Sequence, residues 1–186
     1  MADAARRRAT YDDLRGVPAH VVAEILSGEL VTSPRPSPPH ARAASSLAGE
    51  LYGPFDRGRG GPGGWIILSE PELHLQADVL VPDLAGWRRE RMPALPNSSA
   101  FELAPDWVCE VLSPSTASVD RTVKLPIYAR ERVGHVWLVD PVLRTLEVLR
   151  LDGSGYRLVG AWRDEATVEC EPFEALSIRL ADLWSA

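Results

Sequence analysis

Three charged residues lie next to or within apolar segments that have the pattern of β-strands. Asp83 follows a proline at the end of VLVPD, Glu110 is at the centre of WVCEVL, and Lys124 lies on the segment after that strand. A carboxylate that loses its hydration costs several kcal/mol unless a partner compensates its charge. The sequence therefore raises the question of which cation compensates Glu110.

Two carboxylates on neighbouring strands predict a site for a divalent cation. If the strands of Asp83 and Glu110 are neighbours, their like charges meet in one place and repel each other. Mg²⁺ or Mn²⁺, hard cations that prefer oxygen ligands, would relieve this repulsion. Such an ion lowers the pKa of a bound water and stabilises the charge that grows on a phosphoryl oxygen. A lysine beside it would orient the attacking water or neutralise the phosphate.

Each of these residues also has a structural explanation. Asp83 fits a turn after a strand, as an aspartate after a proline often does. Lys124 fits a surface lysine that pairs with Asp120 at helical spacing. Glu110 is the hardest to explain by packing, because a strand centre made of Trp, Val, Cys and Leu gives a carboxylate no reason to be there.

Longer stretches around these residues resemble a known family. The segments VPDLAGW, PDWVCEVLSPSTASVDRTVK and IYARERVGHVWLVDP, together with AEILSGELV followed by a proline-rich stretch and His40, resemble the Uma-type restriction endonuclease family. That family belongs to the PD-(D/E)XK nuclease superfamily. The resemblance extends from about Tyr11 to the C-terminus, and EVLSPST followed by DRxxK is its most specific part.

The resemblance implies a fold and a set of site residues. The fold is a restriction endonuclease-like core, a central mixed β-sheet with helices on both sides. Asp83 and Glu110 would be metal ligands and catalytic residues, with the backbone carbonyl of Val111 as a third ligand. The superfamily pattern has a lysine two positions after the second acid, where this chain has Leu112. The family takes the lysine from the following helix, which matches Lys124.

Three further residues are weaker candidates. Glu24 matches an acid of the family's N-terminal hairpin and would reach the metal directly or through water, but an exposed strand acid is equally consistent. His40 would contact a phosphate or the site, although a histidine at a helix start is more often structural. Arg121 lies three residues before Lys124, on roughly the same helical face, and would hold a DNA phosphate in a bidentate grip.

Composition limits the class of protein. A chain of 186 residues with 45% hydrophobic content predicts one domain, residues 1–186, with residues 1–9 as a flexible tail. The net charge of -6 argues against a protein that coats nucleic acid by bulk electrostatics. Two cysteines exclude a zinc site built from paired cysteines. The chain has no apolar run of membrane-spanning length, so a cytoplasmic protein is expected.

The apolar pattern predicts a mixed α/β order of elements. It predicts an N-terminal hairpin in VVAEILSGELV and a helix from His40 to about Phe55. It also predicts a C-terminal antiparallel meander in TLEVLRL and YRLVGAW. Single strands are predicted in WIILSE, ELHLQ, DVLVPDLAGW, WVCEVL and HVWLVDP. The stretch SPRPSPPH is expected to be a connection. A helix from about Ser118 must accommodate Pro126, either by a kink or by having it near a helix start.

These observations favour an Mg²⁺-dependent (or Mn²⁺-dependent) endonuclease that cleaves phosphodiester bonds. DNA is the expected substrate, with RNA as the second choice, and a homodimer would place one site on each strand. Two alternatives remain open at the level of the sequence. One is a nuclease-fold protein with little or no activity that binds nucleic acid or protein, and the other is a hydrolase of a different phosphoester.

Overall fold

Strands form most of the regular structure in the computed structural model, which describes residues 7–185. The strands are β1 (Val21–Leu26), β2 (Glu29–Pro34), β3 (Trp65–Ser69), β4 (Leu73–Leu75), β5 (Asp78–Leu80), β6 (Leu84–Arg88), β7 (Trp107–Val111), β8 (His135–Asp140), β9 (Thr145–Asp152), β10 (Gly155–Arg163), β11 (Thr167–Val168) and β12 (Ile178–Arg179). The helices are α1 (Tyr11–Arg15), α2 (Pro38–Leu51), α3 (Ala117–Val119), α4 (Leu125–Arg130) and α5 (Ala181–Trp184), and π-helical turns cover Tyr52–Asp56 and Asp120–Lys124.

A six-stranded sheet is the centre of the fold. Its strand order is β10-β9-β8-β7-β6-β3, and β7 and β8 are its parallel pair, whereas the other neighbours are antiparallel. Parallel strands need a crossover connection, and α3, a π-helical turn and α4 supply it between β7 and β8. The expected central mixed sheet, with an N-terminal hairpin and a C-terminal meander, is confirmed.

The central strand β7 divides the core into two layers. Trp107, Cys109 and Val111 pack with α2 and the C-terminal segment, whereas Val108 packs with α4 and the N-terminal strands. This alternation follows from the two-residue period of side chains along a strand. Leu112 belongs to the same layer as Val108.

A second, four-stranded sheet has the order β2-β1-β5-β4 and contains the predicted hairpin. The prediction of one strand in DVLVPDLAGW is wrong, because β5 belongs to this sheet and β6 to the six-stranded one. Residues 81–83 form the passage between the two sheets, and Pro82 suits it because a proline has no N–H to donate to a strand partner. Asp83 is therefore held at the junction of the two sheets.

Prolines start both helices that border this junction. Pro38 and Pro39 lie in the first turn of α2, where the N–H groups have no helical partner, so the predicted connection SPRPSPPH is limited to residues 35–37. Pro126 lies in the first turn of α4, as one of the two expected alternatives requires. The π-helical turn Asp120–Lys124 precedes it. Single π-turns of this kind are frequent at functional sites.

The first residues of the described chain are bound to the rest of the fold. The Ala9 N–H donates to the Gly28 carbonyl at 2.8 Å, and the Arg7 guanidinium donates to both oxygens of Asp13. Residues 7–9 of the predicted tail, residues 1–9, thus include two residues with contacts to the rest of the fold, and its residues 1–6 lie outside the described residues. Among residues 7–185, no helix is long and apolar enough to cross a membrane.

Candidate active site

A cleft of about 460 Å³ opens where the two sheets meet the start of α2 and the π-helical turn before α4. Its wall includes most of the residues that the sequence selects: Glu24, His40, Asp83, Glu110, Val111 and Lys124. They come from β1, α2, the passage after β5, β7 and the crossover. The fold thus brings together residues that are up to 100 positions apart in the chain.

Lys124 lies at the bottom of the cleft among three carboxylates. Its Nζ is 3.1 Å from Glu24 Oε1, 3.2 Å from Asp120 Oδ1 and 3.3 Å from Glu110 Oε2. The lysine side chain is only 7% exposed, and the three acids are buried as well. The surface-lysine explanation is therefore wrong, although the pairing with Asp120 is present. The cation that compensates Glu110 is Lys124.

Burial and like charges set the protonation of this cluster. Burial raises the pKa of Glu110 well above its usual value, and Asp120, Asp83 and Glu24 raise it further, while Lys124 opposes them. Burial by itself lowers the pKa of Lys124, but Glu110, Glu24 and Asp120 outweigh it, so that this pKa is raised. The lysine therefore stays charged.

Asp83 lines the same cleft next to this cluster. Its Oδ2 accepts a hydrogen bond from the Val111 N–H at 2.7 Å, and its Oδ1 is 3.3 Å from His40 Nε2. His40 is on the buried face of α2. Burial lowers the pKa of His40, but Asp83 and the Val111 carbonyl raise it by more, so that the pKa lies above its ordinary value.

Tyr128 and Asp120 are site residues that the sequence reasoning did not select. The Tyr128 hydroxyl donates to Glu110 Oε1 at 2.5 Å, and burial raises its pKa well above the usual value. The sequence does contain a signal for this cluster: Lys124 is the only lysine in a chain with nineteen arginines, so its position is exceptional. Asp120, four residues before it, is within reach of the same face.

Two weaker candidates have opposite outcomes. Glu24 is buried on β1, and its Oε1 accepts a hydrogen bond from the Val81 N–H at 2.8 Å, so it fixes the passage that carries Asp83. The exposed-acid explanation for Glu24 is wrong. Arg121 does not line the cleft. Its guanidinium donates to both carboxylate oxygens of Glu147 at 2.7 and 2.8 Å.

The donors in the cleft fit a hard divalent cation in part. Within residues 7–185, no group of three or more His, Cys, Asp or Glu side chains is placed to hold a metal ion. Mg²⁺, however, is usually bound by one or two carboxylates, and water and substrate phosphates complete its shell. The cleft also has unused polar capacity, since His40 Nδ1 is buried without a hydrogen-bond partner among the described residues.

Comparison with known proteins agrees with this architecture. No curated protein matches the chain. A solved structure from Anabaena variabilis, described as "a putative nuclease belonging to DUF820", superposes with a TM-score of 0.75 at 22% identity and covers 95% of this chain and 97% of its own. At this identity the similarity establishes the fold alone, a mixed α/β fold with a central mixed sheet flanked by helices.

The family follows from the sequence match. The model of the Uma2 family, described as "Putative restriction endonuclease", matches residues 8–181. The match covers nearly the whole chain, and the protein belongs to the Uma2 family. The resemblance expected from EVLSPST and its flanking segments is thereby confirmed.

Proposed function

We propose that this protein is a metal-dependent endonuclease that hydrolyses phosphodiester bonds of DNA. The observation that carries the proposal is the convergence of Asp83, Glu110 and Lys124 in one cleft. These residues come from three separate elements, and a structural role alone does not require them to meet. Membership in the Uma2 family supports the nuclease class.

Asp83 and Glu110 would hold Mg²⁺ or Mn²⁺ together with the backbone carbonyl of Val111. The bound ion would supply a water of lowered pKa and stabilise charge on the phosphate. The protein's own residues prepare this place in two ways. The Val111 N–H fixes one oxygen of Asp83, and the Tyr128 hydroxyl fixes one oxygen of Glu110. The other oxygen of each carboxylate faces a basic side chain of the cleft, that of His40 for Asp83 and that of Lys124 for Glu110.

Lys124 has two roles in this proposal. Its ammonium compensates Glu110, Glu24 and Asp120 when no other cation is near. A compact ammonium can turn between partners more easily than the planar fork of an arginine, which suits the orientation of a water or a phosphate oxygen. We propose that Lys124 contributes to catalysis in this way, as the replacement for the lysine that the superfamily has at the position of Leu112.

Nicking of supercoiled plasmid tests the proposal. The wild-type protein should convert supercoiled to open-circular DNA in Mg²⁺ or Mn²⁺ and should stop in excess EDTA. Asp83→Asn and Glu110→Gln should lose the activity while remaining folded. Asp140→Asn is a matched control, because Asp140 accepts hydrogen bonds from the N–H groups of Val142 and Leu143 in the turn after β8 and lies outside the cleft lining. Metal-independent nicking, or full activity of both cleft variants, would refute the mechanism.

A protein that binds nucleic acid without turnover is the second candidate. It is favoured by the environment of Lys124, whose ammonium has three carboxylates within 3.3 Å and so has little capacity left for a water molecule. Under this candidate the protein binds a DNA duplex but shows no nicking with any divalent cation. RNA substrates assayed in parallel would separate a DNA enzyme from a nuclease of another substrate.

For the assembly we propose a homodimer, in which two copies of the cleft act on the two strands of a duplex. The physical reason is that most soluble homo-oligomers have two-fold symmetry, which matches the pseudo-two-fold relation of the strands in DNA. Sedimentation velocity with and without a duplex measures this directly. A monomer that nicks only one strand per encounter would contradict the proposed dimer, but it would not contradict the proposed hydrolysis of phosphodiester bonds.

A further inference from the structure

Cations are scarce in the cleft, although its proposed substrate is an anion. Glu24, Glu70, Asp83, Glu110 and Asp120 contribute carboxylates to its lining, whereas the basic side chains there are Arg35, His40 and Lys124. Lys124 is committed to three carboxylates, and His40 is next to Asp83. A phosphate that approaches this cleft therefore needs a cation that is still available.

Arg35 meets this need by its position. Among the described residues, Arg35 is the one arginine that lines the cleft. It lies on the short connection between β2 and α2, with Pro34 before it and Pro36 after it. The two prolines have fixed φ angles and restrict the backbone of the residue before each of them. The connection is thus stiffer than an ordinary loop, and the arginine at its first position is exposed.

The contacts of Arg35 leave its charge uncompensated. One guanidinium nitrogen, NH2, donates to the Ala19 carbonyl at 2.8 Å. Within residues 7–185, Arg35 forms no ion pair with a carboxylate. Many other arginines do form one: Arg7 with Asp13, Arg91 with Asp106, Arg121 with Glu147, Arg130 with Asp78 and Arg150 with Glu171. A neutral carbonyl orients the guanidinium without cancelling its charge, and the other N–H donors of the planar fork remain for a phosphate.

Hydroxyl groups line another part of the same cleft. The loop after β7 contributes Ser113, Ser115 and Thr116, and the Ser113 hydroxyl is hydrogen-bonded to the hydroxyls of both others at 2.9 and 3.1 Å. Ser115 is exposed. Serine and threonine hydroxyls commonly donate to phosphate oxygens and help to set the register of a bound strand. The lining of the cleft thus offers neutral donors in addition to the cationic Arg35.

We propose that Arg35 binds a backbone phosphate of the substrate strand at the cleft. The inference rests on the proposed function, because it takes the ligand to be a phosphodiester. Arg35 is a binding residue, and the acids and Lys124 carry out the reaction. Its contribution is independent of base sequence, since a guanidinium on a phosphate positions the strand and does not read base edges.

Binding and cleavage by charge-altering variants test the role of Arg35. In Ca²⁺, which takes oxygen ligands as Mg²⁺ does, a fluorescent DNA duplex should bind Arg35→Gln roughly tenfold more weakly than wild type. The slope of log affinity against log salt concentration should become shallower by about one. Arg35→Lys should recover part of the affinity, because it restores the charge but lacks the fork. In Mg²⁺, the nicking reaction of Arg35→Gln should show a raised KM with little change in kcat.

Arg132→Gln is the matched control. Its guanidinium also donates to a backbone carbonyl, that of Gly153 at 2.6 Å, but Arg132 lies outside the cleft lining. Wild-type affinity for both Arg35→Gln and Arg132→Gln would overturn the inference, and so would equal losses in the two variants. A selective loss for Arg35→Gln supports it even if the wild-type protein fails to nick DNA, in which case only the proposed catalysis is refuted.

Discussion

Replacing Lys124 by methionine should destabilise the protein strongly. Methionine keeps most of the side-chain length and removes the ammonium, so the buried carboxylates of Glu24, Glu110 and Asp120 lose their common partner. A lysine on the surface, which the sequence allows, would contribute little to stability. The buried position of the lysine reverses that expectation.

The magnitude follows from burial. Removal of one partner of a buried ion pair costs about 3 to 5 kcal/mol, because it leaves a charge without compensation. A pair on the surface would cost about 1 kcal/mol or less. The pKa of Glu110 is already raised, so a proton on Glu110 replaces part of the lost positive charge. We therefore expect a loss near the lower end, about 3 kcal/mol at pH 7 in metal-free buffer.

The sign of the pH dependence follows from the same carboxyl group. A folded-state pKa that is raised above the unfolded value means that the folded protein binds the proton more readily. Without the ammonium, the stability of the variant should be highest in acid and should fall as the pH rises above about 4.5, the ordinary value for Glu110. The penalty relative to wild type is therefore expected to be larger at pH 8 than at pH 5.5.

Urea denaturation followed by tryptophan fluorescence measures these differences, with EDTA present in every sample. The double variant Lys124→Met with Glu24→Gln is the control, and it should recover part of the stability because one carboxylate fewer remains. Glutamine can still accept the hydrogen bond that the Val81 N–H donates to Glu24. A loss of less than about 1 kcal/mol, the size for an exposed pair, would refute the buried position of the ammonium. Rapid reaction of this sole lysine with an amine reagent in the folded protein would refute it too.

Three further predictions concern the surroundings of the cluster. Asp83→Asn should weaken Mn²⁺ binding, which isothermal titration calorimetry measures. Loss of a residue that only contacts a metal ligand weakens metal binding roughly 10- to 100-fold, and loss of Asp83, a proposed ligand itself, should weaken it by more. Tyr128→Phe removes the donor to Glu110 and should cost about 1.5 to 3 kcal/mol in urea denaturation. It should also weaken Mn²⁺ binding, and an unchanged affinity would show that the hydroxyl does not position the carboxylate. Arg121→Ala should cost less than about 1 kcal/mol and leave Mn²⁺ binding unchanged, because its partner is Glu147. The pKa of Glu147 is lowered chiefly by Arg121, so this small contribution should be present above about pH 4.5 and disappear in acid.

The local pattern of apolar and polar residues was enough to predict most of the strands and the main helix. The period of two in WVCEVL predicts a strand with Glu110 on one face and Cys109 and Val111 on the other, and this alternation is intrinsic to an extended backbone. The hairpin around Ser27 and Gly28, the helix that carries His40 and the C-terminal meander are likewise encoded within short windows. Family-specific segments such as EVLSPST then selected six of the residues that line the cleft: Glu24, His40, Asp83, Glu110, Val111 and Lys124.

The partners of those residues were decided by the tertiary structure. Whether Lys124 faces solvent or three carboxylates depends on how the crossover after β7 packs against β1, and no local pattern encodes that contact. The splitting of DVLVPDLAGW between two sheets has the same origin, because an apolar run is equally compatible with one sheet or two. Arg121 shows the converse, since its helical spacing agreed with a role in the site but its carboxylate partner lies on β9. Short-range periodicity specifies which face of a strand or helix a side chain occupies. The energy of a buried charge depends instead on groups that are distant in the chain, and these groups meet only when the sheets and helices pack together.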